Sequence, residues 1–242
     1  MATTATVDFW FDPACPYTWL TSRWVVEAAT VRPLDVRWRV MSLAVLNEGR
    51  DDDPEGDPEG YLWVPVRICA AVLRQYGQEG LGAFYAALWA DRGDGGAKQW
   101  MNDPGAALAD AGLPPELAEA GSRGDYDGAV RASHAEAIAL LGPHVGTPIV
   151  AAPDPGGDAD ARIAFFGPVL SRVPRGEEAG RLWDATLLVA GAPGFHELEG
   201  APADPSPDAN GDAGPMSSVA PAGLHSRHVE HVDHATSTDK EQ

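Results

Sequence analysis

The alternation of apolar and polar positions predicts a strand, a helix and a second strand at the start of the chain. Residues 7–11 form a short alternating aromatic run, which Asp12 and Pro13 end. A helical pattern follows to about residue 29, and residues 35–41 alternate Val, Trp and Val with two Arg. Two strands joined by one helix in so short a stretch predict a parallel pair with a right-handed crossover.

The pattern becomes mostly helical between residues 61 and 141, with Pro and Gly interruptions. The clearest helical segments are 67–75 and 81–90, and weaker ones lie at 106–111, 115–120 and 125–141. Strands return at 148–152 and 162–166, and the turn at 154–160 between them favours a hairpin. A last helix covers about 175–189. The order βαβ, helical block, ββα predicts an α/β fold with a mixed sheet and a helical insertion.

The composition changes near Gly200. All eight Trp precede this point, and residues 200–242 contain no Trp, Tyr, Phe or Ile. Such a segment cannot bury enough apolar surface to offset its ordering entropy. We therefore predict one folded domain, residues 5–199, followed by a disordered acidic tail. Its evenly spaced imidazoles favour solvation or adventitious metal binding over a metal site: His225, His228, His231 and His234.

The excess of acidic residues limits the classes of molecule that the protein can bind. The chain of 242 residues has 17 Lys and Arg against 36 Asp and Glu, a net charge of −19, which disfavours binding to phosphates or anionic lipid. Met1 to Thr6 do not resemble a signal peptide, and no apolar run is long enough to span a membrane. Two cysteines are too few for a disulfide-rich secreted scaffold. We expect a cytoplasmic protein that binds neither nucleic acid nor membranes.

One of the two cysteines lies at the predicted junction between the first strand and the first helix. Cys15 is followed by Pro16, and the first turn is where a helix tolerates proline best. The sulfur would lie near unpaired N–H groups and the positive end of the helix dipole, which favour thiolate over thiol. We therefore expect a lowered pKa and a nucleophile at neutral pH, with an inert cysteine as the alternative.

Thr147 and Pro148 open the first strand of the predicted hairpin. Proline at the first position of a strand is structurally ordinary. A cis Thr147–Pro148 bond would instead present the Thr147 backbone as an unpaired edge that can pair with a bound thiol or peptide. The residues themselves do not show which isomer is present, and cis is the rarer of the two.

These features together resemble the DsbA-like branch of the thioredoxin superfamily over about residues 7–199. Several segments resemble, more narrowly, the actinobacterial mycothiol-dependent nitroreductase family: DFWFDP at 8–13, TSRW at 21–24, MSLAVLNE at 41–48, FFGPVL at 165–170 and PRGEEAG at 174–180. The resemblance implies a thioredoxin-like fold in which Cys15 is the nucleophile and Pro148 is a cis-proline that faces it. It also implies mycothiol, or a similar low-molecular-weight thiol, as co-substrate, a small electrophilic or nitro compound as substrate, and no metal or nucleotide.

The sequence departs from this family at the position of the second cysteine. The best-known members carry Cys-Pro-Trp-Cys, whereas Tyr17 and Thr18 follow Pro16 here. Thr18 cannot close a disulfide, and Cys69 lies in an apolar helical stretch where an inert buried side chain is expected. We therefore expect Cys15 to form a mixed disulfide that a second thiol molecule attacks. The Thr18 hydroxyl either donates a hydrogen bond to the thiolate or only caps the helix.

Other residues are candidates for binding, each with a structural alternative. We expect Trp19 and Trp24 to pack the first helix on the sheet more than to contact substrate. Asn47 follows the second strand, at the end where ligands of parallel sheets collect, so it either binds substrate or caps a loop. We expect His134 to be structural and the acidic run 51–59 to be a solvated loop. Charge balance rather than substrate binding is expected of Arg175 and Arg181, which lie near Glu177, Glu178 and Asp184.

The sequence therefore predicts a thiol-dependent oxidoreductase, a monomer or a homodimer, that reduces small nitro or disulfide substrates. Loss of the second cysteine leaves two alternatives open. One is a thiol transferase or isomerase, as in the relatives of kappa glutathione transferase and chromene-carboxylate isomerase. The other is a redox-silent protein that binds partners or ligands in the same cleft. Cys15 is the candidate catalytic residue, and the candidate thiol-binding residues are Pro16, Tyr17, Thr18, Trp19, Asn47, Thr147 and Pro148.

Overall fold

The computed structural model describes residues 4–51, 54–90, 103–158 and 160–198. The strands are β1 (Ala5–Phe11), β2 (Leu34–Val40), β3 (Ile149–Pro153) and β4 (Arg162–Phe166). The helices are α1 (Pro16–Ala29), α2 (Leu43–Leu46), α3 (Trp63–Leu88), α4 (Pro104–Asp110), α5 (Asp127–Leu141) and α6 (Gly176–Ala190). Two 3-10 helices, Pro115–Ser122 and Gly124–Tyr126, lie between α4 and α5. The predicted tail and its histidines lie outside the described residues.

The four strands form one mixed sheet in the order β2-β1-β3-β4. β1 and β2 are parallel, with Ala5 opposite Leu34 and Phe11 opposite Val40. β3 runs antiparallel to both β1 and β4, which confirms the predicted hairpin. The βαβ unit, helical block and ββα unit therefore make the thioredoxin-like α/β fold expected from the sequence.

Helices cover both faces of the sheet, so the central strand β1 is buried on each side. Phe9 and Phe11 point into the larger core cluster, which α1, α3 and α6 complete. Trp10 points to the other face, where its Nε1 donates to the Ser133 carbonyl of α5 at 3.1 Å. The larger cluster also contains Trp24, which is fully buried and donates from Nε1 to the Ala179 carbonyl at 3.1 Å. Trp24 therefore joins α1 to α6, which confirms its expected structural role.

A break in α3 separates the two helical segments predicted at 67–75 and 81–90. Gly77 has a φ of 68° and a ψ of −161°, a conformation that glycine adopts without steric cost. The next side chain, Gln78, turns towards the edge strand β2. Its Oε1 accepts from the Trp38 backbone N–H at 2.6 Å, and its Nε2 donates to the Trp38 carbonyl at 3.1 Å. The break thus anchors the helical insertion to the sheet.

The structure corrects several details of the sequence prediction. Helix α2 was not predicted, because four residues are too short to show a helical period. The first helix begins at Pro16 and the third strand at Ile149, so Cys15 and Pro148 precede these elements. Among the described residues, no helix is both long and apolar enough to cross a bilayer.

The expected charge balance around α6 is wrong for Arg175. Its guanidinium lies at the start of α6, directed towards α1, where it pairs with Glu27 at 2.6 Å. Glu177 and Asp184 both pair with Arg32, each at 2.7 Å. Glu178 pairs with Arg172. Arg181 acts as expected, because its charge lowers the pKa of both Glu177 and Glu178. The ion pairs of Glu177 and Asp184, however, are made with an arginine that precedes β2, a long-range arrangement that local spacing does not show.

Candidate active site

Cys15 is the residue immediately before the first turn of α1. It has extended backbone angles, φ −84° and ψ 115°, and Pro16 occupies the first turn as expected. Its N–H donates to the Asp12 carbonyl at 3.2 Å, and its carbonyl accepts from the Trp19 N–H at 3.1 Å. The residue as a whole is partly exposed. Strand β1 and helix α1 thus present the thiol at the positive end of a helix.

The pKa of this thiol shifts in the direction opposite to the one expected. Burial raises the pKa of Cys15 to about 11, and the negative charges of Asp12 and Glu55 raise it too. Hydrogen bonds from the Thr18 hydroxyl and the Thr18 N–H act against this. The helix N-terminus favours the thiolate, but burial of the sulfur and the two nearby carboxylates have the larger effect on its pKa. Cys15 is therefore protonated at neutral pH in the absence of a bound partner.

A chain of hydroxyl groups joins α1 to the segment before β3. The Thr18 hydroxyl donates to Thr147 Oγ1 at 3.2 Å, and both residues are buried. Thr147 Oγ1 also accepts from the Asp12 N–H at 3.1 Å, and its own hydroxyl reaches the Trp10 carbonyl at 3.5 Å. The Thr147–Pro148 peptide bond is cis, as the family resemblance implies. Thr18 thus brings the cis-proline segment to the first turn of α1.

A second cis-proline segment borders the first, and sequence reasoning missed it. The Gly167–Pro168 bond is cis, and the Gly167 N–H donates to the Pro148 carbonyl at 3.0 Å. The Thr21 hydroxyl of α1 donates to the Pro168 carbonyl at 2.7 Å. Val169, which follows, is 42% exposed. The FFGPVL segment therefore forms an apolar border beside Pro148, and its family-like sequence was the signal that could have indicated this role.

Asp12 is fully buried beside Cys15, whereas the sequence indicated only that it ends a strand. Its Oδ1 accepts from the Ala14 N–H and its Oδ2 from the Leu43 N–H, both at 2.7 Å. Burial raises the pKa of Asp12 to about 7, against the effect of these two hydrogen bonds. The charges of Glu55 and Asp57 also raise it.

Asn47 lies at the end of α2, on the same side of the site as Glu55. Its Nδ2 donates to Glu55 Oε1 at 3.4 Å. The acidic loop is thus more than a solvated segment, because the charge of Glu55 acts on Cys15. Asp57 also has a structural role: its carboxylate accepts from the N–H groups of Tyr61 and Leu62 at 2.7 and 2.9 Å, just before α3.

Trp19 lies one turn after Cys15 and is mostly buried. Its ring stacks on Trp89 with centroids 5.8 Å apart, and the Arg23 guanidinium lies 4.1 Å from its centroid on the ring face. Trp89 donates from Nε1 to the Pro13 carbonyl at 3.0 Å. Trp19 therefore holds the end of α3 against the loop that carries Cys15, in agreement with packing as its main role. Pro16 and Tyr17 are partly exposed at the start of α1.

The remaining candidates are structural. Cys69 is fully buried, and burial raises its pKa well above the ordinary value. His134 Nδ1 accepts from the Ser42 N–H at 3.5 Å, and burial lowers the pKa of His134, so the neutral acceptor is favoured. No group of three or more metal-ligating side chains occurs within the described ranges.

Comparisons with known proteins assign the chain to a family. A family model described as "Mycothiol-dependent nitroreductase Rv2466c" matches residues 14–200. The chain is 32% identical over 201 residues to "Uncharacterized protein Rv2286c" of Mycobacterium tuberculosis, a match that covers 80% of this chain and 81% of that protein.

Two solved structures are also similar. The "probable DsbA oxidoreductase SCO1869" of Streptomyces coelicolor is 18% identical, with 84% of this chain and 97% of that one covered and a TM-score of 0.47. The "cytosolic disulfide reductase DsbM" of Pseudomonas aeruginosa is 17% identical, with 76% and 100% covered and a TM-score of 0.46. The family model spans most of the chain and nearly all of the described fold. The chain is therefore an oxidoreductase that belongs to the mycothiol-dependent nitroreductase family.

Proposed function

We propose that Cys15 forms a mixed disulfide with a low-molecular-weight thiol, mycothiol, and that the enzyme thereby reduces small disulfide or nitro substrates. The observation that carries this proposal is the position of Cys15, at the start of α1 and joined through Thr18 to the cis Thr147–Pro148 segment. In this arrangement a bound thiol pairs with the backbone of Thr147 and places its sulfur at Cys15. The family supports mycothiol as that thiol.

The chemistry needs thiol molecules from solution, because Thr18 stands where a resolving cysteine would be and Cys69 is fully buried. The Cys15 thiol gives up its proton as its sulfur attacks one sulfur of a disulfide substrate, the S–S bond breaks, and the departing thiolate takes up a proton. A mycothiol thiolate then attacks the Cys15 sulfur, the substrate leaves as its second thiolate and takes up a proton, and Cys15 is left in a mixed disulfide with mycothiol. A second mycothiol attacks the mycothiol sulfur of that mixed disulfide, which frees Cys15 and releases mycothiol disulfide, so two thiols are oxidised for each disulfide reduced.

The same two electrons balance reduction of a nitro group. Two mycothiol molecules become one disulfide, and the nitro compound becomes a nitroso compound with release of one water molecule. In this cycle the Cys15 thiol and one mycothiol thiol supply the two electrons and two protons and become the mixed disulfide, and a second mycothiol then attacks its mycothiol sulfur, which releases mycothiol disulfide and frees Cys15. The cytoplasm is the proposed setting, since both cysteines are free and the thiol pool there is reduced.

Intact-protein mass spectrometry tests the mixed disulfide. Incubation with mycothiol disulfide should add one mycothiol to the wild-type chain, and dithiothreitol should remove it. The Cys69→Ser variant should gain the same mass, and Cys15→Ser should gain none. An adduct that persists in Cys15→Ser, or the absence of any adduct on the wild-type chain, would contradict the proposal.

The raised pKa of Cys15 favours a second candidate function, thiol transfer or isomerisation. A thiol that stays protonated at neutral pH can donate a hydrogen bond to a bound mycothiol thiolate, which then attacks an electrophile directly. A serine could replace the cysteine in that role. Turnover by Cys15→Ser, with a mycothiol conjugate as product and no mycothiol disulfide, would support this second function over the first.

A further inference from the structure

Asp12 connects three segments of the chain that surround Cys15. Its side chain binds the Ala14 N–H in its own loop and the Leu43 N–H at the start of α2. Its backbone N–H donates to Thr147 Oγ1, in the segment that contains the cis peptide bond. Its carbonyl accepts from the Cys15 N–H. These three segments are far apart in sequence, and one buried residue holds them together.

Helix α2 depends on this contact for its position. The first N–H of α2, that of Leu43, is bound by Asp12, and the preceding N–H, that of Ser42, is bound by His134. Ser42 in turn caps the helix, because its side chain accepts from the Val45 N–H at 3.2 Å. Asn47 ends the helix one turn later. A shift of α2 would therefore carry Asn47 with it.

We propose that Asp12 is a positioning residue for the thiol reaction: its carboxylate holds α2, and with it Asn47, beside Cys15. This inference rests on the proposed function, because it concerns mycothiol: the thiol binds at the site whose three segments Asp12 holds together. Both carboxylate oxygens accept hydrogen bonds from backbone N–H groups. An amide of the same shape has one acceptor and one donor, so it can satisfy only one of the two N–H groups.

The surroundings of Asp12 decide what its replacement does to Cys15. The titratable groups that act on Asp12, or on which it acts, come from the residue before α1, the acidic loop and α3: Cys15, Glu55, Asp57, Cys69 and Tyr85. His134 of α5 holds the adjacent N–H group. The negative charge of Asp12 raises the pKa of Cys15, so removing it should make the thiol more reactive. A positioning role predicts the opposite change for mycothiol binding.

The test compares Asp12→Asn with Asp8→Asn, which removes the same charge from β1 at a carboxylate paired with Arg39 and Arg162. We expect Asp12→Asn to raise the KM for mycothiol about tenfold or more, the loss that corresponds to one charge-assisted hydrogen bond. Amide hydrogen exchange of residues 43–47 should accelerate by at least the same factor. Alkylation of Cys15 by iodoacetamide at pH 7.5 (the assay pH) should become faster. Asp8→Asn should change none of these.

A second variant removes the donor of the same hydrogen bond, so the test does not depend on normal folding of Asp12→Asn. Leu43→Pro removes the N–H that Asp12 Oδ2 accepts, at a helix position where proline is tolerated. Because the buried Leu43 side chain is lost as well, Leu43→Ala, which keeps the N–H, is the control for this variant. The extended backbone of Ser42, with φ −132° and ψ 121°, suits a residue that precedes proline. We expect the same increase in KM, and no further increase in the double variant.

Unchanged KM and unchanged exchange at residues 43–47 in both variants would overturn the positioning role. If the wild-type chain forms no mycothiol adduct, the proposed function fails, but the exchange and alkylation measurements still decide the role of Asp12. General destabilisation would also speed alkylation and weaken binding, but it would accelerate amide exchange in α6 as much as at residues 43–47; exchange that accelerates at residues 43–47 and not in α6 supports the positioning role.

Discussion

The hydroxyl groups of Thr18 and Thr147 lie 3.2 Å apart, although the two residues are 129 positions apart in sequence. Thr18 therefore has two acceptors for one proton, the Thr147 oxygen and the Cys15 sulfur. When Cys15 is a thiol, the hydroxyl binds Thr147. When Cys15 ionises, a rotation of the hydroxyl directs the same proton to the thiolate, since a charged acceptor binds more strongly than a neutral one.

Replacing Thr18 with Val should slow alkylation of Cys15 at pH 8 roughly three- to tenfold, the range that one lost hydrogen bond to the thiolate gives. The hydroxyl lowers the pKa of Cys15, so its removal raises that pKa further and leaves less thiolate. The rate of iodoacetamide alkylation against pH, in a Cys69→Ser background, measures this. Thr18→Ser keeps the hydroxyl and serves as control. Equal rates for the Val variant and the wild-type chain would exclude a thiolate contact.

Replacing Glu55 with Gln should have the opposite effect. The charge of Glu55 raises the pKa of Cys15, so the neutral side chain should lower that pKa and speed alkylation roughly twofold or more at pH 8. The exposed neighbour Glu59 is the matched control, because the same substitution there changes the loop charge equally. A pKa that moves as much in Glu59→Gln as in Glu55→Gln would show that only net charge matters.

Asp12 should make stability depend on pH in an unusual direction. Its pKa rises from an ordinary value near 3.8 to about 7 on folding, so the folded state binds the proton more tightly than the unfolded state does. The Asp12 contribution is therefore present below about pH 4 and is lost as pH rises through 7, by about 4 kcal/mol at most.

The difference in unfolding free energy between wild type and Asp12→Asn isolates this effect. Urea unfolding at several pH values between 4 and 8 measures it, and the hydrogen bonds lost in the variant add an offset that does not vary with pH in this range. A difference that stays constant across the range would contradict a raised pKa for Asp12.

Replacing Trp24 with Ala should lower the free energy of unfolding by about 3–5 kcal/mol, as expected for truncating a buried Trp. The indole is fully buried, lies with its centroid 5.7 Å from that of Trp183, and donates to the Ala179 carbonyl. Urea unfolding measures the loss. Trp24→Phe keeps most of the apolar contact and should lose less. A loss below about 1 kcal/mol in Trp24→Ala would contradict its role in joining α1 to α6.

The sequence predicted the strands, the main helices and the placement of Cys15, because apolar periodicity and the Cys15–Pro16 junction are local signals. The direction of the Cys15 pKa could not be predicted, since it depends on burial and on charges brought near by the fold. Glu55 is 40 positions from Cys15 in sequence, and its charge acts on the thiol because the fold of the acidic loop brings it near. The sequence indicated only that Asp12 ends a strand, because the N–H group that its Oδ2 binds, that of Leu43, belongs to a helix too short to predict.

The contact between Gln78 and Trp38 has a consequence for how copies of this protein meet. β2 is an edge of the described sheet, and an open edge is a template on which another chain can add a strand. The Gln78 carboxamide binds both the N–H and the carbonyl of Trp38, as a neighbouring strand would. The other edge of the described sheet is β4, a strand of five residues followed by Gly167 and by Pro168, which has no N–H to donate. One glutamine after a break in a helix thus occupies, at Trp38 of β2, the backbone groups with which an added strand would pair.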